Sequence, residues 1–288
     1  MFWRPQEWGY GLVMPKRFST VRGREFGDGL RAAIAATGMT SRQVAELVGW
    51  QEAKLSDLIN GKGGATELEL ALLLGVCRTP AHERDHLLSL FTGTGVKGWW
   101  QEHGACAPIS PRTLVEHERL AKNLFSWQTM LLHGTLQLPD YTRAVITACA
   151  NVPGDEIEAR VEARVLRQEA LRGLKAVFFV PESVLLNQVG GPEVMQEQLR
   201  HLDRLAARPG VVFRVVPLGA GAHAGMAGSF DMLTFDKYED AVFLESENSS
   251  LIIEAPDAVE AYGRIVEGLE LVALDAEQSK GLIKKLLT

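Results

Sequence analysis

The residues best suited to chemistry lie in the segment from Thr40 to Gly61, TSRQVAELVGWQEAKLSDLING. Its polar and apolar side chains recur at three- and four-residue spacing, as expected for short helices that each bury one face. Polar side chains presented by such a helix can hydrogen-bond the phosphates or base edges of DNA. The candidate DNA contacts in and just after this segment are Ser41, Arg42, Gln51, Glu52, Ala53, Lys54, Ser56, Asp57, Asn60 and Lys62.

Two helices joined by a tight turn would position these side chains. Thr40 or Ser41 can cap the first helix, and Gly49 supplies the permissive backbone of the turn. Asn60-Gly61 ends the second helix with a pair that tolerates a left-handed conformation. The pattern predicts a helix-turn-helix, with a purely structural helical hairpin as the alternative. The residues expected inside are Val44, Leu47, Val48, Leu55, Leu58 and Ile59.

The charge distribution separates this region from the rest of the chain. The 288-residue chain carries a net charge of −6, with 46% hydrophobic and 23% charged residues. Residues 16–62 contain eight Lys or Arg against five acidic residues, so this region is +3 and the remainder is −9. Such asymmetry suits a nucleic-acid-binding head on an acidic body, and the length suits two domains.

Several classes of protein are disfavoured by composition. The three cysteines are far apart, which argues against a zinc site or a disulfide framework. No apolar run reaches the roughly 18 residues of a membrane span, and residues 1–18 do not resemble a signal peptide. We therefore expect a cytoplasmic protein that needs no cofactor and has no membrane partner. No GxSxG, HExxH or P-loop motif is present, which predicts that the protein is not an enzyme.

The predicted fold class is a five-helix helix-turn-helix domain followed by a mixed α+β domain. We expect an N-terminal arm at residues 1–21, the helical domain at 22–92, a linker at 93–98 and the α+β domain at 99–288. The first helix is expected to begin at Arg24. In the second domain, helices are predicted to alternate with strands at 177–180, 211–216, 230–235, 241–245 and 251–253.

Two helices of the second domain are given specific predictions. The first is a helix over residues 112–124, which would pack on the N-terminal domain. The second starts at residues 153–155 and reaches residue 172, and its charged residues are interpreted as a solvated face. These residues are Glu158, Arg160, Glu162, Arg164, Arg167 and Glu169.

Candidate ligand residues in the second domain each have a simpler alternative. Trp99, Trp100 and Tyr141, with Trp127, could line a ligand or partner pocket, although such aromatic residues more often pack in a core. His223, in GAGAHAG, could serve a pocket or catalysis, or lie exposed on a loop. Glu245, Glu247 and Glu254 could form a metal or acid–base site, but without a nearby His a polar sheet edge is the better interpretation.

The sequence resembles bacterial Xre (lambda repressor/Cro-like) regulators that carry a conserved C-terminal, antitoxin-like domain of unknown function. In the head, the resemblance rests on Gly38-Met39-Thr40, Ala45, Gly49, Ser56 and Asn60-Gly61. In the body, it rests on Lys97 to Trp100, Leu136 to Val145, Arg160 to Gln168, Gly190 to Leu199, Gly219 to Gly225, Ser229-Phe230 and Val242 to Glu245.

This resemblance implies a dimeric DNA-binding regulator whose C-terminal domain senses a small molecule or a small partner protein encoded by an adjacent gene. The expected partners are a double-stranded DNA operator and a second copy of the chain. The head departs from the family pattern at Ser41, where Gln is usual, and at Asp57, where Arg is usual. Glu52 adds a second carboxylate, which repels phosphates but can accept from cytosine. The alternative is an interaction module with weakened or lost DNA binding that sequesters a partner.

Overall fold

The computed structural model describes residues 20–61, 64–92, 99–102, 111–246 and 249–287. The predicted N-terminal arm, apart from Thr20 and Val21, the predicted linker and Lys62 lie outside these ranges. No helix in the described ranges is both long enough and apolar enough to cross a membrane.

The N-terminal part of the described chain contains five helices, which confirms the predicted helical domain. They are α1 (Val21–Ala36), α2 (Ser41–Leu47), α3 (Glu52–Ile59), α4 (Glu67–Val76) and α5 (Ala81–Phe91). Helix α1 begins earlier than Arg24, because the Thr20 side chain accepts a hydrogen bond from the Gly23 N–H and caps the helix.

The core of this domain follows the predicted spacing with one exception. Val44, Leu55 and Leu58 are fully buried, and Ala45 is almost so. Leu47, however, is 62% exposed, so its prediction as a core residue is wrong. Helix α2 has only seven residues and presents Val44 and Ala45 to the core, so its last residue lies beyond the packed contact.

A close backbone approach fixes α3 against α1. A Cβ atom added at Gly27 of α1 would lie 2.0 Å from the carbonyl oxygen of Ile59, at the end of α3. Only glycine permits this contact, because any larger residue would drive the two helices apart. The position of the second hairpin helix is therefore set by a small residue one helix away.

The C-terminal part is built on a mixed seven-stranded sheet in the described residues, with the order β1-β7-β6-β5-β2-β3-β4. Strands β2, β3 and β4 are parallel, and the other neighbouring pairs are antiparallel. The strands are β1 (Trp99–Glu102), β2 (Asn123–Trp127), β3 (Lys175–Pro181), β4 (Val211–Val216), β5 (Phe230–Thr234), β6 (Ala241–Glu245) and β7 (Ser249–Ile253).

Helices cover both faces of this sheet, which confirms the mixed α+β class. One face packs against a large core that includes α10, and the other packs against α11. The helices are α6 (Pro111–Leu120), α7 (Pro139–Ala148), α8 (Ile157–Arg167), α9 (Glu182–Leu186), α10 (Pro192–Leu205), α11 (Pro256–Val272) and α12 (Ala276–Leu286).

The predicted helix over 112–124 is wrong at its C-terminal end. Helix α6 stops at Leu120, and Asn123–Trp127 forms the central strand β2. This strand pairs with β3 on one side and β5 on the other, partners that lie about fifty and one hundred residues away. Such distant pairing overrides the local preference of a short segment.

The N-terminal end of α1 contacts the C-terminal domain. The Val21 N–H donates to the Glu254 carboxylate at 2.5 Å, and the Arg24 Nε donates to His117 of α6 at 3.1 Å. The Arg24 guanidinium also lies over the rings of Phe235 and Tyr238, 4.9 and 4.7 Å from their centroids. Burial lowers the pKa of Arg24, and the Glu254 charge opposes that shift.

Candidate functional site

Helix α3 separates its predicted DNA contacts from its core residues. Leu55 and Leu58 are fully buried, whereas the polar positions between and around them face solvent. Five candidate contacts at the start of and along α3 are exposed. They are Gln51, Glu52, Ala53, Ser56 and Asp57. The arrangement is that of a helix free to enter a groove from one side.

The beginning of α2 presents the second group of candidates. Thr40 and Gln43 form a reciprocal capping box, so the start of the helix is fixed. Ser41 and Arg42 are both exposed there. Arg42 lies 3.1 Å from Glu46 one turn later, but both side chains are largely in water, so this ion pair restrains Arg42 little.

Lys54 is placed differently from the other candidates. Its Nζ lies 2.5 Å from the Glu69 carboxylate of α4 and 4.5 Å from the centre of the Trp50 ring. The hydrogen bond from Lys54 and the backbone N–H of Thr66 lower the pKa of Glu69 to about 2. Lys54 therefore has a partner already, and a phosphate would have to compete with Glu69 for it.

The end of α3 also uses one of its candidates locally. The Asn60 amide donates to the Ser56 carbonyl at 2.7 Å, so its side chain closes the last turn of the helix. Gly61 follows with a φ of 69°, in the left-handed region predicted for this position. Asp57 is exposed, as is Glu52, so both carboxylates that depart from the family pattern face solvent.

Among the aromatic and histidine candidates of the C-terminal domain, Trp127 and His223 are in contact, whereas Tyr141 lies on the opposite face of the sheet. Tyr141 is fully buried in the core on one face of the sheet. His223 lies on the other face, with its ring edge-on to Trp127 at 5.4 Å, and its Nδ1 accepts from the Gly225 N–H. Trp99 and Trp100 begin the edge strand β1, where their backbones pair with β7.

A buried polar cluster, which the sequence analysis missed, lies beneath α6 and α8. Glu118 of α6 accepts two hydrogen bonds from the Arg167 guanidinium of α8, at 2.8 and 2.6 Å. The Glu118 side chain is 0% exposed and that of Arg167 is 13% exposed. Burial lowers the pKa of Arg167, but Glu118 more than reverses this, and the net shift is upward.

The same cluster contains a histidine paired with an aspartate. The Thr135 N–H donates to His133 Nδ1, and His133 Nε2 lies 3.3 Å from the Asp231 carboxylate. Burial alone would raise the pKa of Asp231, but the charge and hydrogen bond of His133 and the Arg167 charge hold it below its usual value.

These positions correct two sequence interpretations. Arg164 and Arg167 do not belong to a solvated face, because Arg164 is half-buried and Arg167, 13% exposed, is bound to Glu118 of α6. Glu245 is exposed at the end of β6, in agreement with a polar sheet edge. Glu254 is buried at the contact with α1, and Glu247 lies outside the described residues. The four- and three-residue spacing of Arg160, Arg164 and Arg167 was the signal available in the sequence.

Within the ranges that the structure describes, no three His, Cys, Asp or Glu side chains are close enough to hold a metal ion. The cluster instead mixes carboxylates with guanidinium groups, which neutralise one another.

Comparisons with known proteins agree with the division into a helical head and an α+β body. The model described as "Helix-turn-helix domain" matches residues 25–87. The model described as "Domain of unknown function (DUF5753)" matches residues 111–285, well over half of the chain. No curated protein matches the chain in sequence.

Among solved structures, one titled "Structure of TrmBL2, an archaeal chromatin protein, shows a novel mode of DNA binding" aligns with 86% of this chain and 93% of that chain. The identity is 12% and the TM-score is 0.32, a likeness too low to carry an argument. The matches to the two family models do support an assignment. The chain belongs to the family that carries the domain of unknown function DUF5753, joined here to an N-terminal helix-turn-helix domain.

Proposed function

We propose that the protein is a sequence-specific DNA-binding transcriptional regulator of the antitoxin-like, Xre-type class that acts as a homodimer. Two copies would place two α3 helices in successive major grooves of a palindromic operator, one helical turn apart. The C-terminal domain would sense a small molecule or a small partner protein. We propose no enzymatic role for it.

The observation that supports DNA binding best is the polarity of α3. The helix is fully buried at Leu55 and Leu58 and exposed at Gln51, Ala53 and Ser56, with no other helix of the described chain covering that face. A short helix with an uncovered polar face, placed directly after a glycine turn, has the form of the recognition helix of a helix-turn-helix. The +3 charge of residues 16–62 would favour the approach of this face to DNA.

The contact between α1 and the C-terminal domain supports the sensing role. Arg24 bonds to His117, and the next residue of α6, Glu118, holds the buried Arg167. A change at the polar cluster that moved α6 would therefore act directly on the helix that positions α3. This gives the two domains a short physical connection through one helix.

A specific observation also supports the alternative, an interaction module with weakened DNA binding. Glu52 and Asp57 both face solvent on α3, and Lys54 is paired with Glu69. The candidate surface thus offers DNA few free cations in its described part. Under this alternative the same surface, or the C-terminal domain, would sequester a protein partner.

One experiment separates the two proposals. The purified protein is mixed with fragmented genomic DNA, and the bound fragments are recovered and sequenced, while light scattering gives the molar mass. We expect a short palindrome to be enriched by a dimer. A folded protein that enriches no sequence would refute the regulator and favour the interaction module.

A matched pair of variants ties the binding to α3. Ala53→Glu places a carboxylate on the exposed first turn of α3, and Ala81→Glu places the same group on the exposed first turn of α5. Both substitutions suit a helix N-terminus, so neither should reduce stability. We expect only Ala53→Glu to abolish enrichment of the operator. Lys54→Glu is a poorer test, because it would oppose Glu69 and disturb the fold.

A further inference from the structure

An open cleft of about 640 Å³ lies beside α7 in the C-terminal domain. Its walls are the last turns of α7, residues 149–151 that follow them, Leu131 and the loop between α9 and α10. Small-molecule sites in proteins typically measure about 300–1,000 Å³. The cleft therefore has the size of a site for a small molecule.

The lining of the cleft is uncharged and largely apolar. None of its ten lining residues is acidic or basic, and six of them are aliphatic. Asn151 and Asn187 also line it, and both are exposed to solvent. An amide side chain can both donate and accept hydrogen bonds. The cleft thus combines apolar walls with neutral polar groups that could orient a ligand.

The walls of the cleft are held in place by close packing. Gly190 has a φ of 75°, and a Cβ atom added there would lie 2.9 Å from a methyl carbon of Val194 and 3.1 Å from the Cβ atom of Ala144. Glycine therefore brings the α9–α10 loop closer to α7 than a larger residue would allow. Val145 and Val189 pack against the large core on that face of the sheet. The cleft is consequently a formed feature of the fold.

A short segment joins the cleft to the buried polar cluster. Leu131 lines the cleft, and the N–H of the next residue, Leu132, donates to the Tyr141 hydroxyl of α7 at 3.3 Å. The residue after that is His133, whose Nε2 lies 3.7 Å from the Glu118 carboxylate of α6. Because α6 also contacts α1, a molecule in the cleft would lie two residues from the connection between the domains.

We propose that this cleft binds a small neutral molecule with an apolar body and at least one hydrogen-bonding group. The apolar body would leave water for the aliphatic walls, and its polar group would pair with an asparagine amide. An ionic ligand would give up its hydration without meeting an opposite charge among the lining residues. The inference rests on the proposed sensing function and names its site and ligand class.

The first experiment uses two dyes that share one ring system. N-phenylnaphthylamine is neutral, with one N–H donor, and anilinonaphthalene sulfonate carries a negative charge on the same rings. We expect the neutral dye to bind the full chain saturably, with one molecule per chain, and the sulfonate to bind at least about tenfold more weakly because its charge is not compensated. Fluorescence titration measures both. Equal affinities, or no saturable binding of the neutral dye, would overturn the proposal, and the second result would favour a protein partner.

A matched pair of variants locates the bound dye. Ala148→Leu fills part of the cleft from an exposed position on α7, and Ala163→Leu makes the same change on the exposed side of α8, away from the lining residues. Only Ala148→Leu should weaken binding, by at least about tenfold, because the dye loses the apolar contacts of the space that leucine occupies. Circular dichroism verifies that both variants are folded. Equal binding by the two variants would place the dye elsewhere and refute the site.

Cys149 gives an independent measure of occupancy, because it lines the cleft and is half-buried. Its alkylation by iodoacetamide is followed by mass spectrometry of the peptide that contains it. At ten times the Kd of the dye, only about a tenth of the sites are empty, so alkylation should slow about tenfold. An unchanged rate in the original protein would contradict binding in the cleft.

Operator binding is measured separately, without any dye. If the protein binds its operator but no neutral dye, the cleft proposal fails and the proposed regulator stands. If the dye binds in the cleft but no DNA is bound, the site stands and the DNA-binding proposal fails. The two failures are therefore distinguishable.

Discussion

Replacing Glu69 with glutamine tests whether its ion pair keeps Lys54 away from DNA. Lys54 lies in the first turn of α3, and its ammonium is 2.5 Å from the Glu69 carboxylate. Glu69 is also the third residue of α4, where it accepts from the Thr66 N–H in a capping box. Glutamine serves equally well at that position of a capping box, so Glu69→Gln removes the charge and keeps the helix cap.

The expected effect follows from counterion release. Each lysine that gains a phosphate contact makes the slope of log K against log salt steeper by about 0.9. In the proposed dimer two lysines are freed, so the slope should steepen by about 1.8, and affinity at low salt should rise. The Trp50 ring lies 4.5 Å from the Lys54 ammonium. We expect it to keep the ammonium near the N-terminal end of α3 in the variant.

Fluorescence anisotropy with labelled duplex DNA, repeated over a range of salt concentrations, measures this slope. Glu67→Gln is the matched control, because Glu67 is exposed in the same first turn of α4 and carries the same charge. Both variants should keep the thermal midpoint of the original protein. They differ only in whether they free Lys54.

Equal slopes for Glu69→Gln and Glu67→Gln would refute the reasoning. In that case any gain in affinity would come from the general change in net charge, and Lys54 would not be a phosphate contact. A lower thermal midpoint for Glu69→Gln alone would show that the ion pair contributes to the fold and would assign Lys54 a structural role.

Three further predictions concern stability. Gly27→Ala should destabilise the N-terminal domain by about 1–3 kcal/mol, because its Cβ would meet a backbone oxygen of α3 at 2.0 Å. Gly75→Ala, a helical position with open space, should stabilise it by up to about 1 kcal/mol, and thermal unfolding followed by circular dichroism compares the two. Glu118→Ala should lower the free energy of unfolding by about 3–5 kcal/mol, because it leaves Arg167 buried without its partner. Adding Arg167→Met should recover most of that loss, and chemical denaturation measures both variants. The pKa of Glu245 is raised to about 6 from 4.5, so the folded state binds this proton more tightly and loses stability as pH rises through that window. Glu245→Gln should remove that loss of stability, which screening by water limits to about 1 kcal/mol. Chemical denaturation at several pH values measures the loss. Equal pH profiles for the variant and the original protein would contradict the shift in the pKa of Glu245.

The helix-turn-helix was accessible from sequence because its determinants are local. The Thr40 cap, the Gly49 turn and the spacing of Val44, Leu55 and Leu58 all act within one or two helical turns. The same argument located five strands of the C-terminal sheet, where short apolar runs are bounded by turn residues. It missed β1 and β2, whose partners in the sheet lie about fifty residues or more away in sequence.

The tertiary structure decided which charged residues are free and which are held. In sequence, Arg167 is one of several charges on an amphipathic helix, and nothing local indicates that Glu118, forty-nine residues away, will bind it. Lys54 likewise resembles an unpaired phosphate ligand until α4 brings Glu69 to it. Local spacing determines where a helix begins, ends and turns its apolar face. Which ions pair is decided by packing, because only the folded chain brings distant charges within hydrogen-bond distance and removes the water between them.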